Sequence, residues 1–407
     1  MRTPFKILPL IVFLLLINET WAQTNPITDD SPLRTAMPIL TVAPDARSSA
    51  MGDIGAATAP SINDQAWNCA KYVFNEYDMG VSLSYIPWMR NVGSTNINLL
   101  YLTGFYRIDE QQAIAASIRF FSLGTLDFKD DYGNPVRLSN PNEFAIDVSY
   151  SLRLGEFFSI GAAFRYLRSD LSGGKYVSTS VVMSPANGVA ADVGFFYNQV
   201  LHRNSLFSNV SAGLSITNIG TKMGYTYNES FENKHFLPTT LRLAVGTEMN
   251  LSYNHSLALS LELSKFLVPT PPIYARDDQG YIIFDNDKPV IAAGKDDKVS
   301  VPLGMIQSFY DAPGGFSEEL REIMTGLGAE YNYADFFKVR AGFYYDPKNA
   351  QHRYVTMGFG IVFSLFTLSK ASIDLSYLVP TVSGLQSPLA NTIRVTLGVN
   401  IGESNKY

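Results

Sequence analysis

From residue 79 onward the chain alternates apolar and polar side chains almost without a break, and few folds can absorb so much of that pattern. Near the C-terminus Ile393, Val395, Leu397, Val399 and Ile401 alternate with Arg394, Thr396, Gly398 and Asn400. Ile373, Leu375 and Tyr377 alternate with Ser372, Asp374 and Ser376, and Leu257, Leu259, Leu261 and Leu263 with Ala258, Ser260, Glu262 and Ser264. The same rhythm runs through Phe144, Ile146, Val148, Tyr150 and Leu152, and through Val355, Met357, Phe359, Ile361 and Phe363. A period of two puts each set on one face of a sheet. About fourteen such segments of roughly 9–13 residues can be marked off, a length suited to a tilted strand crossing a bilayer. They begin near Met79, Thr95, Gln111, Asn142, Phe157, Asn187, Ser205, Leu237, Asn254, Thr325, Phe337, Arg353, Lys370 and Leu389.

Alternation alone does not say which face meets water, because a soluble β-sandwich carries the same pattern with its apolar face inside. Connection lengths favour a membrane barrel. Tight links at Arg107 to Glu110, Gly155-Glu156, Ser252-Tyr253, Asp335-Phe336 and Leu368-Ser369 take turns with long ones at Gly124 to Pro141, Ser169 to Ala186, Gly220 to Phe236 and Val268 to Met324. Short turns at one end and long loops at the other are the habit of outer-membrane barrels, whose short turns face the periplasm. In the registers quoted, every Arg, Asp and Glu falls opposite the apolar face, where a lumen would take it. Tyr85, Tyr101, Tyr166, Tyr197, Phe266 and Tyr331 lie near segment ends and are expected to form interfacial girdles. The expected fold is all-β: a closed transmembrane antiparallel β-barrel over residues 79–407, with a long extracellular loop at 268–324.

The first residues bear on compartment. Arg2 and Lys6 precede an apolar run from Ile7 to Ile17, and Thr20-Trp21-Ala22 is a small-x-small cleavage site, so residues 1–22 read as a secretory signal peptide. The other possibility, a membrane anchor, asks for a longer run of about 20 residues. Removing Arg2, Lys6 and Glu19 with the leader leaves 29 basic against 36 acidic residues, a net charge of −7. No basic run is present, which argues against nucleic acid as a partner. Cys69 is the single cysteine, so no intrachain disulfide can form.

Between leader and first strand, residues 23–78 form a separate N-terminal segment. Its centre, "DARSSAMGDIGAATAPSINDQAWNCAKYVF" (45–74), is small, glycine-dotted and nearly uncharged. A barrel of this width needs its lumen open, filled or plugged. The segment suits a plug: its small residues let backbone run close to an inner wall, and Asp45, Arg47, Asp53, Asn63 and Asp64 suit polar lumenal partners. A flexible periplasmic linker is the alternative.

The run Ala46-Arg47-Ser48-Ser49-Ala50-Met51-Gly52-Asp53-Ile54-Gly55-Ala56-Ala57, followed by Trp67-Asn68-Cys69-Ala70, resembles the N-terminal hatch of outer-membrane long-chain fatty-acid transporters. More closely, "MPILTVAPDARSSAMGDIGAATAPSINDQAWNCAKY" (37–72) and "SFYDAPGGFSEELREIMTGLGAEYNY" (308–333) resemble the PorV family of the type IX secretion system. Cys69 departs from the proline usual in related hatches, which bears on the turn after Asn68. The resemblance implies a fourteen-stranded barrel, multi-pass in the cell outer membrane and in contact with its lipid. It implies hatch positions at Asp45, Arg47, Met51, Gly52, Asp53, Trp67 and Asn68. It further implies a non-enzymatic carrier that binds the C-terminal signal domain of exported proteins as they leave a large outer-membrane translocon. The carrier then brings them to a surface attachment complex containing a sortase-like protease. Transport of hydrophobic small molecules past the hatch is the alternative, with Gly358 and Gly360 as a possible kink in one strand.

Catalytic patterns are absent from the sequence. His202, His235, His255 and His352 are scattered without an H-x-x-x-H pair, so neither a metal site nor a bound cofactor is expected. No G-x-S-x-G elbow occurs. The informative stretch is the 268–324 loop, because a loop this long inside a compact barrel is seldom idle. It mixes proline, acidic runs and aromatics, then a Gly-Gly turn and a short helix with Ser317 as candidate N-cap and Glu318 and Glu319 in its first turn. Tyr274, Tyr281, Phe309, Tyr310 and Phe316, with the intervening Asp311, Pro313, Gly314 and Gly315, are the candidate partner-binding residues. The competing expectation is that the loop folds inward and packs these aromatics over its own lumen.

Overall fold

The computed structural model describes residues 33–402 apart from 89–96, 130–134, 172–175, 178–181, 202–205, 227–233, 287, 350–351, 367 and 382–390. The expected leader lies outside the described residues. Fourteen antiparallel strands close into a ring. They are β1 (Met79–Pro87), β2 (Ile97–Arg107), β3 (Gln112–Leu123), β4 (Asn142–Arg153), β5 (Phe158–Asp170), β6 (Ala186–Val200) and β7 (Phe207–Gly220), then β8 (Thr240–Ser252), β9 (His255–Phe266), β10 (Met324–Tyr333), β11 (Phe337–Tyr345), β12 (Tyr354–Phe366), β13 (Ser369–Pro380) and β14 (Ile393–Ile401). Each pairs with its neighbours in sequence, and β14 returns to β1 with Met79 opposite Ile401 and Tyr85 opposite Val395. Closure leaves no strand edge unpaired, the condition hydrocarbon imposes on any sheet that crosses it. Among the described residues no helix is long and apolar enough to cross a membrane.

Exposure identifies the outer face. Val148 is 54 % exposed while Asp147 beside it is 3 %, and the other quoted runs follow the same sense. A soluble sandwich would show the reverse, so the apolar stripe is the lipid face and the polar stripe lines the lumen. At the long-loop end, outward tyrosines donate to asparagines: Tyr85 Oη to Asn98 at 2.7 Å, Tyr166 Oη to Asn187 at 2.9 Å and Tyr377 Oη to Asn391 at 2.7 Å. Such pairs keep the ring in the apolar band and the hydroxyl at headgroup level.

Three expectations are corrected. Tyr101 is no girdle residue. It points inward and is fully buried, with the Arg119 guanidinium 5.4 Å from its ring centroid. β2 is apolar on both faces (Leu99 and Tyr101 in, Leu100 and Leu102 out), so its pattern hid the parity. The eighth segment starts at Thr240 rather than Leu237, because Pro238 has no N–H for the ladder. Gly358 and Gly360 form no kink, since β12 stays in unbroken register with both neighbours through them. A Cβ at Gly358 would sit 2.6 Å from Ala50 Cβ, and one at Gly360 2.3 Å from Asp374 Oδ1, so these glycines make room for inner contents. The expected starts near Thr95, Ser205 and Leu389 fall on undescribed residues.

Candidate functional site

Residues 33–78 run through the ring and touch its wall on all sides. Asn63 Oδ1 accepts from Ser82 of β1 at 3.0 Å, Gln65 Oε1 from Ser149 of β4 at 2.5 Å, and Ala70 O from Ser159 of β5 at 2.6 Å. Asn68 donates to Phe195 O of β6 at 3.0 Å, and Ala57 O accepts from Ser211 of β7 at 2.7 Å. Gly55 N and Ala56 N both donate to Glu262 Oε2 of β9, at 3.0 and 2.9 Å. Gly52 N donates to Thr356 of β12 at 2.9 Å, and Ala46 N to Thr396 of β14 at 2.9 Å. Wall glycines set the approach: a Cβ at Gly342 would lie 2.0 Å from Gly52 N, so only glycine admits the segment there.

With short turns on the periplasmic side, the N-terminal segment is expected to enter the ring from that end, but residues 36–40 lie at the other. Ala36, Met37, Ile39 and Leu40 pack with Ile86, Leu99, Phe121 and Leu167 at the long-loop end, and Ala36 N donates to Phe236 O at 2.8 Å. Tyr72 and Val73 pack near Phe105 and Ala113 at the opposite end, just before β1. Apolar contacts with loop-end side chains draw residues 36–40 up to the mouth, and the chain then descends.

Local chemistry explains the shape. Asp45 caps α1 (Ala46–Ala50), Oδ2 accepting from Ser48 N at 2.8 Å, and Oδ1 accepts from Trp67 Nε1 at 2.9 Å. One carboxylate thus ties two distant parts of the segment together. Gly52 (φ +80°) and Asp53 (φ +54°) make a left-handed corner after Met51, and Asp53 Oδ2 accepts from Tyr354 Oη at 2.6 Å. Asn68 caps a 3₁₀ turn at Cys69–Phe74 through Ala70 N. The turn in doubt at Cys69 therefore forms without proline. Lys71, fully buried, meets Asp64 Oδ1 at 2.6 Å and Gly55 O at 2.9 Å. Every hatch position inferred from the sequence, Asp45, Arg47, Met51, Gly52, Asp53, Trp67 and Asn68, is buried or half-buried against the wall or the segment itself.

Several charges in the lumen are held in ion pairs. Arg165 grips Asp147 (Nε–Oδ1 2.6 Å) and Asp192 (Nη2–Oδ2 2.9 Å). Glu330 joins Arg340 of the wall at 2.5 Å to Arg47 of the segment at 3.1 Å, and Arg340 also reaches Asp374 at 2.6 Å. The void between Asn68, Cys69, Gly194 and Ser215 is too tight for a water molecule.

At the mouth, residues 267–323 are built, not trailing. Two short antiparallel pairings, Ile273–Tyr274 with Ile291–Ala293 and Phe284–Asp285 with Lys288–Pro289, precede α2 (Val301–Gln307) and α3 (Phe316–Arg321). Gly315, not Ser317, is the N-cap of α3, because φ +69° there suits glycine. Underneath, Lys265 from the end of β9 meets Glu319 at 3.0 Å and also Glu322, and Lys348 meets Glu318 at 2.6 Å and Glu322 at 2.9 Å. Asp311 is buried and accepts from Thr270 N at 3.1 Å. The candidates therefore divide: Phe316 (77 % exposed), Phe309, Tyr310, Tyr281, Gly314 and Gly315 face outward, Tyr274 and Pro313 are half-buried, and Asp311 anchors from below. Tyr281, Phe309, Tyr310 and Phe316 do not pack inward, whereas Tyr274 is partly covered. Leu303, Ile306 and Leu320 extend the exposed apolar surface. The i, i+3 spacing of Leu303 and Ile306 was a legible signal for two of them.

This anchorage has a pH sign. Burial first, then Glu319 and Glu322, push the Asp311 carboxyl up to about 6 from 3.8. A raised acid stabilises the folded loop below its ordinary range and loses that contribution as pH climbs from 3.8 to about 6. Burial opposes ionisation of Glu322, but Lys265 and Lys348 outweigh it and hold its carboxyl below the usual 4.5, so its contribution is lost on the acid side instead. Proteolysis of the loop should therefore be slowest in mild acid. Asp311→Asn, which keeps the acceptor for Thr270, should make the loop more resistant at pH 7 and leave it unchanged near pH 4.

A closed fourteen-strand ring with a lipid-facing apolar stripe, a charged lumen and its own N-terminal residues threaded through it defines an outer-membrane β-barrel. The family described as "Type IX secretion system protein PorV" matches residues 25–273. The chain belongs to that family and is an outer-membrane component of the type IX secretion system. No curated protein matches its sequence. Solved structures resemble the chain at low identity. The TodX deltaS2S3 mutant monoaromatic hydrocarbon channel has a TM-score of 0.50 at 11 % identity, covering 88 % of this chain and 98 % of its own. The Ralstonia pickettii toluene transporter TbuX gives 0.46 at 12 %, with 88 % and 98 % covered. A Pseudomonas aeruginosa FadL homologue gives 0.41 at 11 %, with 89 % and 97 % covered.

Proposed function

We propose that this protein is a non-enzymatic cargo carrier. It binds the C-terminal signal domain of exported proteins on its extracellular loops as they leave the translocon, and escorts them to the surface attachment complex with its sortase-like protease. The observation that carries this is the loop at 267–323: large aromatics held outward on a base of ion pairs to the barrel rim. Exposed Phe and Tyr on a rigid support are what a protein-binding surface needs. The threaded segment serves the same role by keeping the lumen shut while the outer face works.

Transport of hydrophobic small molecules is less well supported. Its basis is a fold shared with hydrocarbon channels, and fold alone does not specify function. Native co-purification from actively secreting cells separates the two. The carrier account expects exported proteins bearing the C-terminal domain, together with translocon subunits, in the eluate. Recovery of neither, alongside a chemically selective bound lipid, would favour transport.

A further inference from the structure

Arg394, on the lumenal face of β14, is wholly buried, and none of Nε, Nη1 and Nη2 has a hydrogen-bond partner among the described residues. Arg165 and Arg340, by contrast, each hold two carboxylates. Ser376, its register partner on β13, is 3 % exposed, and its Oγ is equally unpartnered. The end of α1, just before the left-handed corner, reaches this wall beside Ser376: a Cβ at Gly358 would lie 2.6 Å from Ala50 Cβ and 3.3 Å from Ser376 Cα. At the corner Asp53 Oδ2 accepts from Tyr354, while Oδ1 is buried with no partner. Of the charged groups around Asp53, Arg394 exerts the largest pull on its carboxylate, and Ser49 stands beside it.

A guanidinium presents five N–H donors in a fixed fork, and leaving them unmade in a dry interior is among the costliest arrangements a fold can hold. Asp53 Oδ1 needs a donor and Arg394 needs acceptors, yet no hydrogen bond joins the two. Water satisfies both requirements. A simple anion satisfies the guanidinium but not Asp53, and would sit against a carboxylate. Buried polar groups in this condition are the usual hosts of ordered water, which typically makes about three hydrogen bonds each.

We propose that Arg394, Ser376, Ser49 and Asp53 form an internal hydration site, in which ordered waters accept from the guanidinium and donate to Asp53 Oδ1, joining the hatch corner to β13 and β14. The site completes the hold on Gly52 and Asp53 that Thr356 and Tyr354 begin. A joint made through water lets the corner shift slightly without breaking a direct ion pair.

The test is a high-resolution structure of the full, detergent-solubilised chain with a parallel bromide soak, read beside Arg394→Met and the milder Ser376→Ala. The site requires solvent density bridging Arg394 and Asp53, no anomalous bromide peak, and an Arg394→Met protein with lower thermal stability. Cys69, buried in the hatch, should then react with maleimide about tenfold faster. Ser376→Ala should fold normally and lose one of the waters. A bromide peak on the guanidinium would reassign the site to anions. Direct Arg394–Asp53 contact without intervening density, or Arg394→Met as stable as the parent, would show a dry enclave and overturn the proposal.

Discussion

Glu330→Ala should unseat the threaded segment. The Glu330 carboxylate accepts from Arg340 Nε at 2.5 Å and from Arg47 at 3.1 and 3.2 Å, so among the described residues it is the anion that Arg47 of the segment shares with the wall. Without it two guanidinium groups face each other, and only Arg340 keeps a carboxylate, Asp374 at 2.6 Å. Breaking a buried ionic group by removing one partner costs about 3–5 kcal/mol. The barrel itself should survive, because its ladder does not depend on this side chain. The loss should appear as exposure of the segment. Cys69 is the reporter: burial holds its thiol far above the ordinary range, and it is inert while the segment is seated. Maleimide should label it about a hundredfold faster or more in Glu330→Ala, since about 1.4 kcal/mol is a decade. Glu330→Gln, which keeps the shape and one acceptor, should fall between. Labelling at the parental rate in both variants would mean that the network does not hold the segment.

Replacing Phe309 and Phe316 together by serine should abolish cargo recovery while leaving the barrel intact. Phe309 is 51 % and Phe316 77 % exposed, so their removal leaves no enclosed cavity. Aromatic anchors at the centre of an interface are worth about 2 kcal/mol or more each. The double variant should therefore bind the signal domain at least about a hundredfold more weakly, with unchanged heat-modifiability on a gel. Lys295, which sits 3.8 Å from the Tyr310 ring centroid, is a useful control, because its removal should cost far less. Undiminished cargo capture by the double serine variant would place the binding surface elsewhere on the extracellular face.

How much of this was legible depended on the reach of each interaction. A period of two is a local property, and β4, β9, β12, β13 and β14 could be marked from the residues that later appear on their outer faces. Tyr101 was misplaced because β2 is apolar on both sides, and only the neighbouring Arg119 shows which is inner. That residues 45–74 would lie close against other backbone was legible in their small residues and capping groups, but not the course they take. Residues 36–40 are drawn to the mouth by Ile86, Leu99, Phe121 and Leu167, contributed by strands far along the chain. The ion networks share that character. Arg47 and Glu330 are 283 residues apart, and no spacing rule joins them. The loop aromatics could be named from composition alone. That Asp311 is an anchor and Phe316 an exposed tip required knowledge of where Lys265 and Lys348 stand.

The account turns most on the barrel's being stoppered by its own N-terminal residues, and conductance in planar bilayers measures that directly. Purified full-length protein should insert without opening discrete ion-conducting steps, while a variant lacking residues 33–74 should open large, stable ones. Steady porin-like conductance from the full-length protein would contradict it.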